Sequence, residues 1–226
     1  MLARRVMNHI KKQNWTGVAL DFVIVVLGVF IGIEVSNWNA DRADARRARE
    51  VLAAIDVDLN DFAQVTEEMT IEASRGLAAF DEARRRGERP APYYFRVSGS
   101  DTPPQAVWDV ALQSNISELV PPSLVFDLGF FYSEQQGVGV KFIRYQDFIE
   151  RQILPRLDDP STFYDGEGRL KPAFEQNMAR LHEWIYESHV LTRSSDCLRE
   201  RFKNPSSGDG SCRPVYTRTA GEPAQP

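Results

Sequence analysis

One run limits what this chain can become. From residue 17 to residue 35 the only charged side chains are Asp21 and Glu34, and the rest is rich in Val, Ile, Leu, Phe and Gly. Trp15 and Trp38 flank the run. At the rise of an α-helix that spacing is about 34 Å, close to a hydrocarbon core of about 30 Å with an interfacial Trp at each side. Val and Ile are not strong helix formers in water. In lipid, however, the backbone must satisfy its own hydrogen bonds, and a helix is the single-segment way to do so. Asp21 falls about 9 Å along such a helix from Trp15, and Glu34 about 6 Å from Trp38. Both acids therefore lie near the ends rather than at the midplane, where a charge costs roughly 2.5–3.5 kcal/mol.

Three readings of the run compete: the core helix of a soluble protein, a cleaved signal peptide, and a retained anchor. The tryptophan spacing and the basic N-terminus oppose the first. The small-residue triplet Ala43-Asp44-Ala45 follows a polar, charged stretch far from the apolar end, which opposes the second. The expectation is a retained transmembrane helix over residues 15–38, preceded by a short basic tail at 1–14. That tail holds Arg4, Arg5, Lys11 and Lys12 and no acid. Arg42, Arg46, Arg47 and Arg49 follow the run, so the basic residues on the two sides balance. The acid-free tail favours an N-terminus in the cytoplasm and a C-terminal domain in the periplasm. The two cysteines, Cys197 and Cys212, argue the same way. A disulfide across "CLRERFKNPSSGDGSC" would contribute on the order of 3 kcal/mol, and it forms in an oxidising compartment. Free thiols in a cytosolic tail, with the opposite topology, are the alternative.

The run "NWTGVALDFVIVVLGVFIGIEVSNWN" resembles the opening of a family of uncharacterised single-pass membrane proteins of Gram-negative bacteria. The likeness rests on Asp21 at the start of a Val/Ile-rich helix, Gly28 in its middle, Glu34 near its end and the closing Asn37-Trp38-Asn39. The next stretch, "ADRADARRAREVLAAIDVDLNDF", is similar to the charged helix the family places there. The resemblance covers about residues 13–65; "AVWDVALQSNISELVP" further on is loosely similar. It implies an inner-membrane anchor and brings no activity with it.

Gly28 and Gly32 form a small-xxx-small pair, and Asp21 and Val25 lie seven residues before them on nearly the same helix face. Such a face lets two helices approach closely and shields Asp21 from lipid, which is one reading, a homodimer through this helix; the alternative is that the glycines are ordinary for a membrane helix and Asp21 marks the interface with water.

Beyond the anchor the pattern is helical, and the expected fold is all-α: a transmembrane helix followed by a domain of about four or five helices. Residues 39–89 read as one long charged helix. Leu52, Ile55, Leu59, Phe62, Met69, Ala73 and Phe80 repeat at three- and four-residue spacing, with Thr66 and Gly76 as weak positions. That stripe packs within its own domain or in a coiled coil with a second copy. Residues 90–203 hold the remaining helices. Pro121-Pro122 breaks one, Ser123 caps the next, and Gly137-Val138-Gly139 interrupts it. Phe142, Tyr145, Phe148, Ile149 and Ile153 then mark an inward face, as do Phe174, Met178, Leu181, Ile185, Val190 and Leu191 in the last helix. Tyr93, Tyr94, Phe95, Phe126, Phe130, Phe131 and Tyr132 read as core. Residues 204–226 are expected to be a flexible tail.

Chemistry-bearing spacings are poor. His182 and His189 are about 10 Å apart along a helix, and the H-E-x-x-H spacing is missing, so Glu183 between them completes no zinc site. No G-x-S-x-G occurs. Gly137 and Gly139 lack the third glycine and the preceding strand of a nucleotide loop. Asp158, Asp159, Asp165 and Glu167 do not follow calcium-loop spacing. No catalytic residue, metal or cofactor is assigned. The net charge is -5, and residues 1–14 carry +4 with no acid, which leaves an acidic body that matches nucleic acid poorly. The expected role is a non-enzymatic, membrane-anchored envelope protein for protein interaction or sensing. An envelope hydrolase with a site formed only in three dimensions is the alternative.

Overall fold

The computed structural model describes residues 15–97, 106–203 and 210–216. The expectations for the basic tail at 1–14, for part of the 93–104 loop, and for residues 204–209 and 217–226 lie outside the described residues. The fold is all-α. Among the described residues five α-helices follow one another: α1 (Trp15–Arg85), α2 (Ala106–Gln113), α3 (Ile116–Leu119), α4 (Pro122–Phe148) and α5 (Pro172–Lys203). The chain divides into two compact units, Met1–Arg49 and Glu50–Pro226.

In the first unit α1 is long and apolar enough to cross a membrane, and its apolar window has no burial within the chain. Phe22, Leu27, Phe30 and Ile31 are all more than half exposed. A helix apolar on every side gains nothing from water and needs another apolar medium around it. Where the run turns polar, the Arg42 guanidinium lies 4.4 Å from the centre of the Trp38 ring, one turn away.

In the second unit the rest of α1 packs with α4 and α5. The edge-to-face pair Phe62–Phe131 and the bond from the Tyr132 hydroxyl to Asp58 (2.8 Å) join α1 to α4. The Arg199–Asp56 pair (3.1 Å) joins α1 to α5. The α1 stripe is buried inside this unit at Ile55, Leu59, Ala73, Leu77 and Phe80. Thr66 and Thr70 lie inward as well, and the Thr70 hydroxyl donates to the Glu67 carbonyl (3.0 Å). The helix ends in a Schellman turn. Gly87 takes φ +82°, Glu88 N–H donates to Ala83 O (3.1 Å), and Gly87 N–H donates to Arg84 O (3.0 Å).

Three expectations are corrected. Helix α4 begins at Pro122, with Pro121 before it, so Ser123 lies in the first turn and does not cap the helix. Pro suits a first-turn position because its missing N–H has no partner there. Helix α4 also runs through Gly137-Val138-Gly139 to Phe148, because Gln135, Val138 and Tyr145 on its inward face are buried against its neighbours. Tertiary burial outweighs the helix cost of two glycines, about 1 kcal/mol each. It widens to a π turn at Ile149–Ile153 and then tightens over Leu154–Arg156, where Pro155 cannot supply a ladder N–H. Third, Phe126 and Phe130 are exposed, unlike Phe95, Phe131 and Tyr132. They occupy the side of α4 opposite the inward Leu124, Leu128 and Phe131.

Candidate functional site

Two places stand out: the exposed apolar face of α1, and the seam between α4 and α5 where the C-terminal segment lies.

On α1, Asp21, Gly28 and Gly32 are all solvent-facing in the isolated chain. A Cβ built on Gly28 or Gly32 meets nothing within 4 Å, so neither glycine makes room for a neighbour in its own chain.

The second place centres on Asp127, which points inward from α4 and is 3% exposed. It accepts bonds from the Arg201 guanidinium (2.8 Å), the Ser211 hydroxyl (3.1 Å), the Cys212 amide (3.0 Å) and the Arg213 guanidinium (3.1 Å). Burial pushes its carboxyl up. The bonds from Cys212, Arg213 and Ser211, together with the Arg201 charge, outweigh burial and hold it below the usual carboxylate value. It is therefore an ionised anchor at neutral pH.

Residues 210–216 form an extended strap over this seam. Cys212 is joined to Cys197 by a disulfide, with Cα atoms 5.5 Å apart, and it is buried while Cys197 is exposed. The Ser194 hydroxyl donates to the Cys212 carbonyl, and Arg213 lies 4.3 Å over the Phe130 ring. Both backbone groups of Cys212 are thus held, one by each helix. This part of the expected flexible tail is packed, because a buried carboxylate and a covalent bond fix it. Further along the seam Lys141 pairs with Glu187 and with Glu183 (3.2 Å). Burial lowers the Lys141 ammonium, but these two carboxylates raise it more. Burial and the adjacent Glu134 carboxylate push the Tyr216 hydroxyl up.

No family model, curated protein or solved structure matches this chain.

His182, Glu183 and His189 lie on α5, with both histidines exposed; among the described residues no three His, Cys, Asp or Glu side chains converge as a metal would need. The seam offers charge and hydrogen bonds for holding an extended segment. Asp127 was not singled out from sequence. Its one signal is an acid at an inward position, since Leu124, Asp127, Leu128 and Phe131 fall at i, i+3, i+4 and i+7.

Proposed function

We propose that this chain is a single-pass protein of the bacterial inner membrane and a member of the family its N-terminal run resembles. Residues 1–14 face the cytoplasm. The helical unit faces the periplasm, where it contacts another envelope protein or senses envelope conditions without catalysing a reaction. The observation that carries this reading is the unburied apolar segment of α1, whose exposed Val, Ile and Phe side chains need a lipid environment. The Cys197–Cys212 bond supports the compartment, because such bonds persist where thiols are not kept reduced.

The acidic body disfavours nucleic acid as a partner. Self-association through Asp21, Gly28 and Gly32 belongs to the same reading. Alkaline phosphatase fused after residue 203 is expected to be active. An inactive phosphatase together with a fluorescent GFP fusion at the same point would overturn the topology. Crosslinking in native membranes followed by mass spectrometry identifies the partner.

A further inference from the structure

We propose that the Cys197–Cys212 bond is a reducible clasp: a small dithiol opens it in the folded protein and frees residues 210–216 from the α4–α5 seam, leaving the helices in place. The proposal does not depend on the cellular compartment or on the partner.

Access is asymmetric. Cys197 is an exposed residue on α5, whereas Cys212 is 4% exposed. An external thiolate therefore meets the bond from the Cys197 side. It forms a mixed disulfide with Cys197 and expels Cys212 as a thiolate, which takes up a proton. The second thiol of the same molecule then attacks the mixed disulfide and releases Cys197. The dithiol loses two electrons and leaves as its cyclic disulfide, and the protein gains two thiols.

The rest of the strap's hold is polar and reversible. Three of the four groups bonded to Asp127 come from the strap, namely Ser211, Cys212 and Arg213. The fourth, Arg201, comes from α5 and stays when the strap leaves. Asp127 is therefore not stranded as a buried, unpaired charge, which is the condition that makes breaking such a node prohibitive. Among the described residues Cys212 is the strap's only member of the apolar core cluster; the others belong to the helices and to the segments between them. Loss of the strap removes Cys212 alone from that cluster among the described residues.

The bond spans a sequence separation of 15. Cys197–Lys203 belongs to α5, so in the folded protein the bond closes only the chain from Lys203 to Cys212, and chain-entropy reasoning for a loop of that order gives roughly a hundredfold bias toward the closed strap. Opening uncovers Asp127, Glu134 and the face of Phe130, so the redox state of one bond controls whether that surface is available.

The test uses the full chain in nanodiscs. Dithiothreitol is added in native buffer, thiols are counted by alkylation and mass spectrometry, and amide exchange is followed in peptides covering 210–216, α4 and α5. The bond is expected to open without denaturant. The amides of Cys212 and Arg213 are expected to exchange about a hundredfold faster, while α4 and α5 keep their protection. Cys197→Ser, which leaves the buried Cys212 in place, is expected to reproduce the fast exchange without reductant. Any of three results would overturn the proposal: thiols that appear only in denaturant, strap exchange unchanged by reduction, or α4 and α5 losing protection together with the strap.

Discussion

The ring of Tyr93 occupies the space that a side chain on Gly76 would fill, well inside contact distance of a Cβ built there. Gly76 lies mid-helix in α1, where alanine would ordinarily be better by about 1 kcal/mol. Here the glycine admits the returning chain, and Tyr93 reaches toward the Glu72 carbonyl (3.5 Å). The expected result is a reversal of sign between two backgrounds. Gly76→Ala should destabilise the protein by about 1 kcal/mol, because the displaced ring loses more than the helix gains. In Tyr93→Ala the same change should stabilise it by about 1 kcal/mol. Urea unfolding of the four proteins measures the coupling, and equal effects in both backgrounds would remove the proposed role of Gly76.

On α4, Tyr145 is wholly buried and its hydroxyl oxygen accepts the Phe95 N–H at 2.8 Å. Burial raises the phenol and the Phe95 bond opposes it, with a net rise, so Tyr145 stays neutral throughout ordinary buffers. Tyr145→Phe keeps the ring but leaves a buried amide without a partner. A loss of about 1–3 kcal/mol is expected, with no dependence on pH between 6 and 9. A loss that changed across that range would point to titration instead.

Asp127 gives the opposite pH behaviour. Its folded-state pKa lies below the ordinary carboxyl value. A depressed carboxylate contributes stability above its unfolded pKa, and that contribution fades as pH falls through the folded value. Wild-type protein should therefore lose stability below about pH 4 more steeply than Asp127→Asn. At pH 7 Asp127→Asn should be less stable by about 2–4 kcal/mol, since Arg201 is left partly buried beside a neutral amide. Thermal melts of both proteins across pH 3–7 test this, and parallel pH profiles would show that Asp127 is not the linked group.

The helices were readable because burial in this fold follows a simple period. Ile55, Leu59, Ala73 and Phe80 recur at three- and four-residue steps, and the structure buries them all. What the period hides is polar or small. Thr70 is fully buried, but its hydroxyl is satisfied by the turn before it, so composition alone does not mark it as inward. Gly137 and Gly139 read locally as an interruption, and it is the burial of Val138 between them that carries the helix through. Phe126 and Phe130 looked like core because aromatic residues usually are, yet their helical phase is opposite to that of Leu128 and Phe131. Asp127 was hidden for another reason. Its four partners lie from 74 to 86 residues away in sequence, so the local pattern marks an inward acid but not the groups that pair with it.

The apolar segment of α1 carries two small residues at close spacing. Gly28 and Gly32 stand one turn apart on α1, and among the described residues nothing beyond the adjacent residues and the helix's own backbone comes within 4 Å of a Cβ built on either. Their small size therefore serves nothing within one copy among the described residues. Two anchors meeting at this face could bring their backbones close and gain dispersion contacts that lipid does not match. Asp21 and Val25 complete the face at seven residues' distance, so the same contact would screen Asp21 from hydrocarbon and let it hydrogen-bond with its copy. Gly28→Ile and Gly32→Ile should each weaken self-association of the full chain in membranes, measured by FRET between labelled copies. Val29 is also exposed but is turned about a quarter of the way round the helix. Val29→Ile should leave the signal unchanged. All three variants remain apolar enough to insert, so a difference among them reports packing and not membrane targeting. Equal FRET from Gly28→Ile, Gly32→Ile and Val29→Ile would leave the two glycines with no part in pairing.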